Sequence, residues 1–396
     1  MTFIPRKIYT RIVNTLDRDK SILLLGPRQT GKTTLIKQLN ADLYISLVQP
    51  RQRLAYERDP DRLTREVEAL KAQGVLPLVI IDEIQKIPIL MDAVQDLIDT
   101  HTAKFILTGS SARKLRRHGA INLLPGRVVT LHMDPLMLIE LPQPLPSIDQ
   151  LLLYGSLPHI ITAKNNAIRE EDLDSYVTTY LDEEVRAEAL VRNMGQFTQF
   201  LKLAGIESGN ISNFQNISKE IGVSNPTISG YYQILVDCLI AERIEPLTHS
   251  LTRKRLIKSP KFILYDLGVR RLAAREGTSF PEKYMGSLFE QWVGLELLHM
   301  LRQYPERSQL MFWRDADGVE VDWIVERHNE YIPIKVKWTE NPHPGDAKHI
   351  KTFLNEYSNA KIGYVVSRVH RKQKLADRIF AIPWQDLPII LAEDNT

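Results

Sequence analysis

The chain has 396 residues, of which 43% are hydrophobic and 25% charged, and it carries a formal net charge of +3. That composition belongs to a soluble globular protein of two to four domains at roughly 100–200 residues each, without internal repeats or low-complexity tracts. A charge this small does not by itself argue for nucleic acid, and the single cysteine, Cys238, excludes an internal disulfide and points to a reducing compartment.

The N-terminal segment "MTFIPRKIYTRIV" lacks the apolar core of a signal peptide. No apolar run approaches the roughly 20 residues needed to span a bilayer, so a cytoplasmic protein with no membrane partner is expected. The first strong signal is "SILLLGPRQTGKTTLIKQL", a strand, a loop and a helix start. Gly26, Gly31, Lys32 and Thr33 fill G-x-x-x-x-G-K-[ST]. Such a loop curls backbone N–H groups around phosphate oxygens at a helix N-terminus, and a side chain in place of glycine would block the approach. The nucleotide-binding candidates are therefore Gly26, Pro27, Arg28, Gln29, Thr30, Gly31, Lys32, Thr33 and Thr34. Lys32 would reach the β- and γ-phosphates of ATP, and the Thr33 hydroxyl would bind Mg²⁺.

Next comes "LPLVIIDEIQKI", a near-continuous apolar run suited to a buried parallel strand. It ends in Asp82 and Glu83, at the carboxyl edge where α/β sheets bind ligands. Asp82 is expected to hold Mg²⁺ through water, and Glu83 to act as the general base on the attacking water. The following strand, in "KFILTGSSARKL", delivers Thr108, Ser110 and Ser111 to the same edge. The pattern is strand 21–25, helix 32–39, strand 43–48, helix 61–73, strand 77–82, helix 89–100 and strand 104–109, which predicts a parallel sheet.

From about 148 to 193 the pattern is helical. "NISKEIGVSNPTISGYYQILVDCLIAERIEPL" then reads as a short amphipathic helix, a turn at Gly222 and a second helix starting near Ser224, which is a helix-turn-helix. Cys238 lies on its apolar face as a core residue. Two strands follow around "SLTRKRLIKSPK", a basic tip with Arg253, Lys254, Arg255 and Lys258 that could contact DNA phosphates. The second helix offers Asn225, Thr227, Ser229 and Gln233 but no arginine for guanine. Solvated charges on a protein-docking winged helix are the other reading. Last come an amphipathic helix carrying Glu290, strands "LMFWRD", "VEVDWIVE" and "IPIKVKW", a helix near 346–357 and the strand "KIGYVVS". Glu320 and Asp322 alternate onto one face of their strand, as do Lys335 and Lys337 on theirs.

Taken together, "GPRQTGKTTL", "IIDEIQ", "FILTGSSARKL", "LPGRVVTL", "YGSLPHI", "YVTTYLDEEV", "GSLFEQWVGLEL" and "GVEVDWIVE" resemble a prokaryotic group of AAA+ ATPases. That group joins an AAA+ module to a C-terminal region of unknown function containing a winged helix and a nuclease-like fold. Ser156 stands where the group usually has a second glycine, a departure expected to touch only a local turn. The resemblance implies an α/β protein: a P-loop AAA+ parallel sheet (1–145) with a helical lid (146–195), a winged helix (196–278) and an α/β restriction-endonuclease-like domain of the PD-(D/E)xK type (279–396). It implies sensor duty for Thr108 to Ser110. It also implies that Arg127 completes the ATPase site, in cis or across a homo-oligomer interface, although Arg113, Arg116 and Arg117 are not separated from it. In the nuclease-like pattern Glu290, Asp322 and Lys337 match, but Lys335 replaces the second metal-binding acid. At 4 Å and an effective dielectric near 20, each unit-charge change there is worth roughly 4 kcal/mol. Loss of nuclease chemistry is therefore expected, with Lys335 paired to Asp322 or Glu290. The expected function is a Mg-ATP-hydrolysing ATPase acting on or with DNA, the alternative a nucleotide-dependent switch or scaffold for a protein partner.

Overall fold

The structure is a computed structural model and describes residues 3–74, 76–111, 126–181, 193–250, 256–304 and 306–392. The N-terminal part runs α1 (Ile8–Leu16), β1 (Ser21–Leu25), α2 (Lys32–Ile36), β2 (Leu43–Ser46), α3 (Pro50–Arg58), α4 (Arg62–Lys71), β3 (Leu78–Asp82), α5 (Leu90–Asp99), β4 (Lys104–Gly109) and β5 (Val128–His132). The strands form one parallel sheet in the order β2-β3-β4-β1-β5. Every residue of β1 is buried, because helices cover both faces of the sheet. Side-chain alternation divides it: Ile22 and Leu24 pack with α1 and α2, while Leu23 and Leu25 pack with α4 and α5.

Helices α1 and α3 and strand β5 add to the elements expected from the sequence. Helix α3 begins with Pro50 at its first turn and buries only Tyr56, with Leu54 exposed, so it offers no apolar stripe to recognise.

After β5 come α6 (Ile148–Tyr154), α7 (Pro158–Ile161), α8 (Asn166–Tyr176), α9 (Met194–Ile206), α10 (Phe214–Ile221) and α11 (Asn225–Asp237). Gly222, at φ 75°, turns the chain between α10 and α11, and Ser224 caps α11 by accepting from Thr227 N. Leu157, Leu173 and Tyr176 share one core with Phe200, Ile217, Ile228 and Leu235, so the helices before and after residue 195 are packed as a unit. Cys238 lies buried in that core.

Strands β6 (Ala241–Pro246) and β7 (Lys261–Leu264) form an antiparallel pair, followed by α12 (Leu267–Ala273) and the long α13 (Glu282–Leu301). The chain ends with β8 (Ser308–Arg314), β9 (Glu320–Arg327), β10 (Glu330–Lys337), α14 (Lys348–Glu356), β11 (Gly363–Ser367), β12 (Gln373–Ala376) and β13 (Ile379–Pro383). The order from α13 to β11 is the one the sequence pattern predicts, with the β12–β13 hairpin added. β6 pairs in parallel with β8, so strands from before and after residues 278 and 279 join one eight-stranded sheet, β12-β13-β11-β10-β9-β8-β6-β7. Helix α13 covers one face through Phe289, Trp292 and Val293, and α14 covers the other through Ile350 and Phe353.

Gly294 lets α13 lie against the sheet, since a Cβ there would sit 2.5 Å from the Trp323 ring. That indole is fixed by its Nε1–H, which donates to Glu290 O at 3.0 Å. Gly294→Ala gains about 1 kcal/mol of helix propensity but meets an overpacking cost of about 1–3 kcal/mol against a ring that cannot move aside. A net loss of stability is expected in denaturant titration; a more stable variant would show that α13 shifts freely.

Candidate functional site

The carboxyl edge of the parallel sheet gathers the loop after β1, the end of β3 and the end of β4. Gly26 N donates to Gly109 O at 3.2 Å, and a Cβ on Gly26 would lie 2.3 Å from Met133 O. The loop turns through Gln29 at φ 62° and Gly31 at φ 97°, the second a conformation that favours glycine, and enters α2 at Lys32. Thr30 Oγ1 donates to Pro27 O at 2.9 Å and closes the loop on itself. The buried Lys32 Nζ donates to Gly26 O at 2.8 Å and Pro27 O at 2.9 Å. Tyr176 OH donates to Arg28 O at 3.2 Å and shares a 2.6 Å hydrogen bond with Tyr265 OH, which ties the loop to the helical core.

Asp82 is fully buried. Its Oδ2 accepts from Thr33 Oγ1 at 2.9 Å and Tyr44 OH at 3.2 Å, and its Oδ1 from Thr108 Oγ1 at 2.5 Å. Burial, with the Asp82 charge beside it, pushes the Tyr44 phenol up to about 12, so it stays a donor. Glu83 adopts φ 64°, left-handed for a residue with a side chain, and such strain clusters at functional sites. Its N–H donates to Thr108 Oγ1 at 3.0 Å, and its carboxylate accepts from Gln85 Nε2 at 2.6 Å and Ser110 Oγ at 3.3 Å. Lys32, Thr33, Asp82, Glu83, Thr108 and Ser110 thus meet at one edge, with Ser111 buried beside them.

Next to the loop lies a cleft of about 310 Å³, with Ile4, Leu35, Met133, Leu136 and Pro158 as apolar walls and Thr30, Gly31, Thr34 and His159 as polar lining. Burial lowers the His159 imidazole pKa, so the ring is neutral at pH 7. The phosphate loop's backbone, the Thr33 and Asp82 oxygens and this cleft suit a nucleoside triphosphate with a divalent cation.

Arg127 does not join this site within the chain. It precedes β5, whose Val128 pairs with Ser21 at the far end of β1, whereas the phosphate loop follows Leu25. Its guanidinium forks onto Asp99, at 2.6 and 2.8 Å. Arg113, Arg116 and Arg117 lie outside the described residues. Sequence reading missed Arg6, Tyr44 and Gln85. Gln85 follows Glu83 by two residues in "DEIQ" and was within reach, but Arg6 and Tyr44 belong to no local motif.

A second, polar cleft of about 290 Å³ opens beside β7, β8, β9 and α13. Lys335 Nζ bonds Asp322 Oδ1 at 2.6 Å and Glu320 Oε1 at 3.0 Å, and Asp322 Oδ2 accepts from Val336 N at 2.7 Å. Burial and the nearby Glu290 push the Asp322 carboxyl up, while the Lys335 ammonium against it favours the charged form. Burial opposes the charge on Lys335, but Asp322 and Glu320 hold it well above the ordinary lysine value. Glu290 is met by a second ammonium, Lys261 Nζ at 2.8 Å, delivered by β7. Lys337, the expected counterpart of the nuclease lysine, is not brought to these acids. It lies at the end of β10, partly exposed, 3.6 Å from Asp346. Glu340 pairs with Arg368. Among the described residues no cluster of three or more His, Cys, Asp or Glu is arranged to hold a metal ion.

Of the basic tip, Arg253, Lys254 and Arg255 lie outside the described residues, and Lys258 is exposed. On α11, Asn225, Ser229 and Gln233 are exposed, Gln233 donating to Asp237 at 3.0 Å, while Thr227 is half-buried. No helix among the described residues is long and apolar enough to cross a membrane.

Residues 18–141 match the family described as an AAA domain; residues 145–279 and 285–387 match two domains of unknown function, DUF8612 and DUF4143. Uncharacterized proteins of Mycobacterium tuberculosis and Mycobacterium bovis are each 26% identical over 383 residues, covering 96% of this chain and 83% of theirs. Among solved structures, the ORC1 protein of Aeropyrum pernix in complex with DNA is 14% identical, over 69% of this chain and 93% of that one, with a TM-score of 0.27. Cdc6p from Pyrobaculum aerophilum is 12% identical, over 69% and 94%, with a TM-score of 0.29. Residues 18–141 therefore carry an AAA domain.

The buried Glu296 of α13 accepts from Leu138 N at 2.9 Å, near Glu140 and Asp134. Burial pushes its carboxyl from 4.5 up to about 8, so the stability it contributes is present at low pH and lost as pH rises through about 8. The buried His299 acts with opposite sign, but only below its ordinary value of 6.5. From pH 6.5 to about 8 Glu296 by itself contributes a slope of about 2 kcal/mol. Glu296→Gln keeps the oxygen acceptor and should remove that slope in denaturant titrations; an unchanged slope would mean that Glu296 is ionised throughout.

Proposed function

We propose that this protein is a cytoplasmic Mg-ATP hydrolase whose turnover drives work on or with DNA. The observation that carries the reading is the meeting of Thr33, Asp82, Glu83 and Thr108 beside the phosphate loop, with hydrogen bonds of 2.5–3.0 Å linking three of them to Asp82 or Thr108. The loop residues from Gly26 to Thr34 would cradle the phosphates, and the cleft beside them would take the base. Lys32 would leave its two carbonyl partners for the β- and γ-phosphates, a short movement of a flexible side chain. Thr33 and Asp82 fit a Mg²⁺ held largely by phosphate and water oxygens; bound there, the ion would neutralise charge developing on the γ-phosphate. Glu83 would orient and deprotonate the attacking water, with Gln85 and Ser110 fixing its carboxylate and Thr108 its backbone.

Arg127 stands at the edge away from its own site, where only another copy's nucleotide could meet it. The proposed role is therefore in trans, within a homo-oligomer, after release from Asp99. Residues 146–195 act as a lid, 196–278 as a winged helix, and 279–396 as a nuclease-like domain without metal chemistry. There Lys335, together with Lys261 reaching across from β7 of the winged helix, supplies the positive charge that a metal would otherwise bring to Asp322, Glu320 and Glu290. DNA contact is proposed for the basic tip of Arg253, Lys254, Arg255 and Lys258. A second reading, a nucleotide-dependent scaffold for a protein, is favoured by the polar, arginine-free face of α11 and by the continuous sheet joining β6 and β8.

Two substitutions test the assignment. Lys32→Ala should abolish tight ATP binding. Glu83→Gln should still bind ATP, yet lose about 100-fold or more in turnover. Phosphate release at the wild-type rate from Glu83→Gln would place the base elsewhere. Stimulation by added duplex or single-stranded DNA would favour the first reading, and indifference to all DNA the second.

A further inference from the structure

The phosphate loop is held from outside by one residue that no motif contains. Arg6, in the segment before α1, is buried and engages all three guanidinium nitrogens. Nη1 donates to Thr30 O at 2.6 Å, within the loop itself. Nη2 donates to Asp134 O at 2.7 Å and Pro135 O at 3.1 Å, and Nε to Glu140 Oε2 at 3.1 Å. The peptide whose oxygen Arg6 grips is the Thr30–Gly31 unit, so the grip fixes the direction of the Gly31 N–H, one of the donors that face a bound phosphate. A rigid planar fork suits this better than a lysine would.

The other end of the fork leads away from the nucleotide. Glu140 also accepts from Lys7 N at 2.7 Å and Met137 N at 3.1 Å, which anchors the turn whose Leu138 N–H is bonded to Glu296. Glu296 belongs to α13, and six residues earlier the same helix carries Glu290, held by Lys261 in the polar C-terminal cleft. Six helical residues span only about 9 Å, so one rigid rod touches both the phosphate-loop network and that cleft.

We propose that Arg6 is a positioning residue for nucleotide binding, orienting the phosphate loop at Thr30 and, through Glu140, coupling its state to α13. This rests on the reading of the loop as an ATP site. The guanidinium touches no reacting atom in this arrangement. It shapes the binding amides, so its loss falls on ground-state binding more than on the chemical step.

The test uses the full chain and measures steady-state ATP hydrolysis together with hydrogen exchange of the α13 segment, with and without Mg-ATPγS. In the wild type, the nucleotide should change α13 exchange. Arg6→Met should raise KM for ATP about tenfold, the size of one lost charged hydrogen bond, with kcat changed by less than about twofold, and α13 should no longer respond at saturating nucleotide. Arg6→Lys, retaining one donor for Thr30 O, should recover part of the KM. Glu140→Gln keeps the oxygen acceptor and should show the α13 loss with a smaller KM change, which decides the matter if Arg6→Met does not fold. A lowered melting temperature with unchanged KM and an intact α13 response would make Arg6 merely structural and overturn the inference. If wild type and Lys32→Ala alike fail to bind Mg-ATPγS, the ATP reading fails and this inference with it.

Discussion

A carboxylate buried without compensation costs several kcal/mol, and Asp82 is fully buried at the end of β3. Three hydroxyls discharge that debt: Thr33 from α2, Thr108 from β4 and Tyr44 from β2. Because the donors come from separate elements, satisfying one charge fixes the start of α2 and three strands relative to each other. The order β2-β3-β4-β1-β5 makes this possible, since β3 lies between β2 and β4, and β4 lies beside the strand that feeds the phosphate loop. Glu83 inherits its place from the same hub, with its N–H on the Thr108 hydroxyl, its O accepting from Lys86 N at 3.0 Å and its carboxylate accepting from Gln85 Nε2.

The C-terminal half is organised by a different balance. There the carboxylates Asp322, Glu320 and Glu290 face two ammonium groups rather than hydroxyls. Lys335 comes from β10 of the same sheet, but Lys261 comes from β7, on the far side of α13 in the chain. The pair Lys261–Glu290 therefore also stitches the β6–β7 hairpin to α13. Lys261 lies over the Trp323 and Phe312 rings, at 4.7 and 5.1 Å, where a cation gains from the ring faces as well as from the acid. Breaking one partner of such a buried pair costs more than the pair contributes, which makes the cleft intolerant of single charge changes.

What the sequence makes legible follows from locality. The phosphate loop, the Asp82–Glu83 end of an apolar strand and the position of Thr108 are each encoded within about ten consecutive residues, and strand order on a parallel sheet then brings them to one edge. Arg6 is hidden because its partner Glu140 lies 134 residues away. Lys261 is hidden because it reads as one more charge in a basic hairpin. Arg127 illustrates a different loss: β5, the strand it precedes, was not among the expected elements, and only the parallel pairing of Val128 with Ser21 tells which edge Arg127 stands at. Lys337 has the alternation of Lys335, yet it falls on the last residue of β10, where the chain turns towards Asp346. Helix α3, which buries a single side chain, Tyr56, and leaves Leu54 exposed, carries no periodic apolar signal.

The central claim is that Asp82 and Thr33 form, with a bound triphosphate, one Mg²⁺ site that serves hydrolysis. Calorimetric titration with ATPγS, in Mg²⁺ and in EDTA, compares wild type with Asp82→Asn most directly. In the wild type, Mg²⁺ should tighten binding by about tenfold or more, and Asp82→Asn should bind as the wild type does in EDTA while gaining little from Mg²⁺. Equal enhancement by Mg²⁺ in both proteins would contradict the account, because the metal would then be held without the carboxylate around which this edge of the sheet is built.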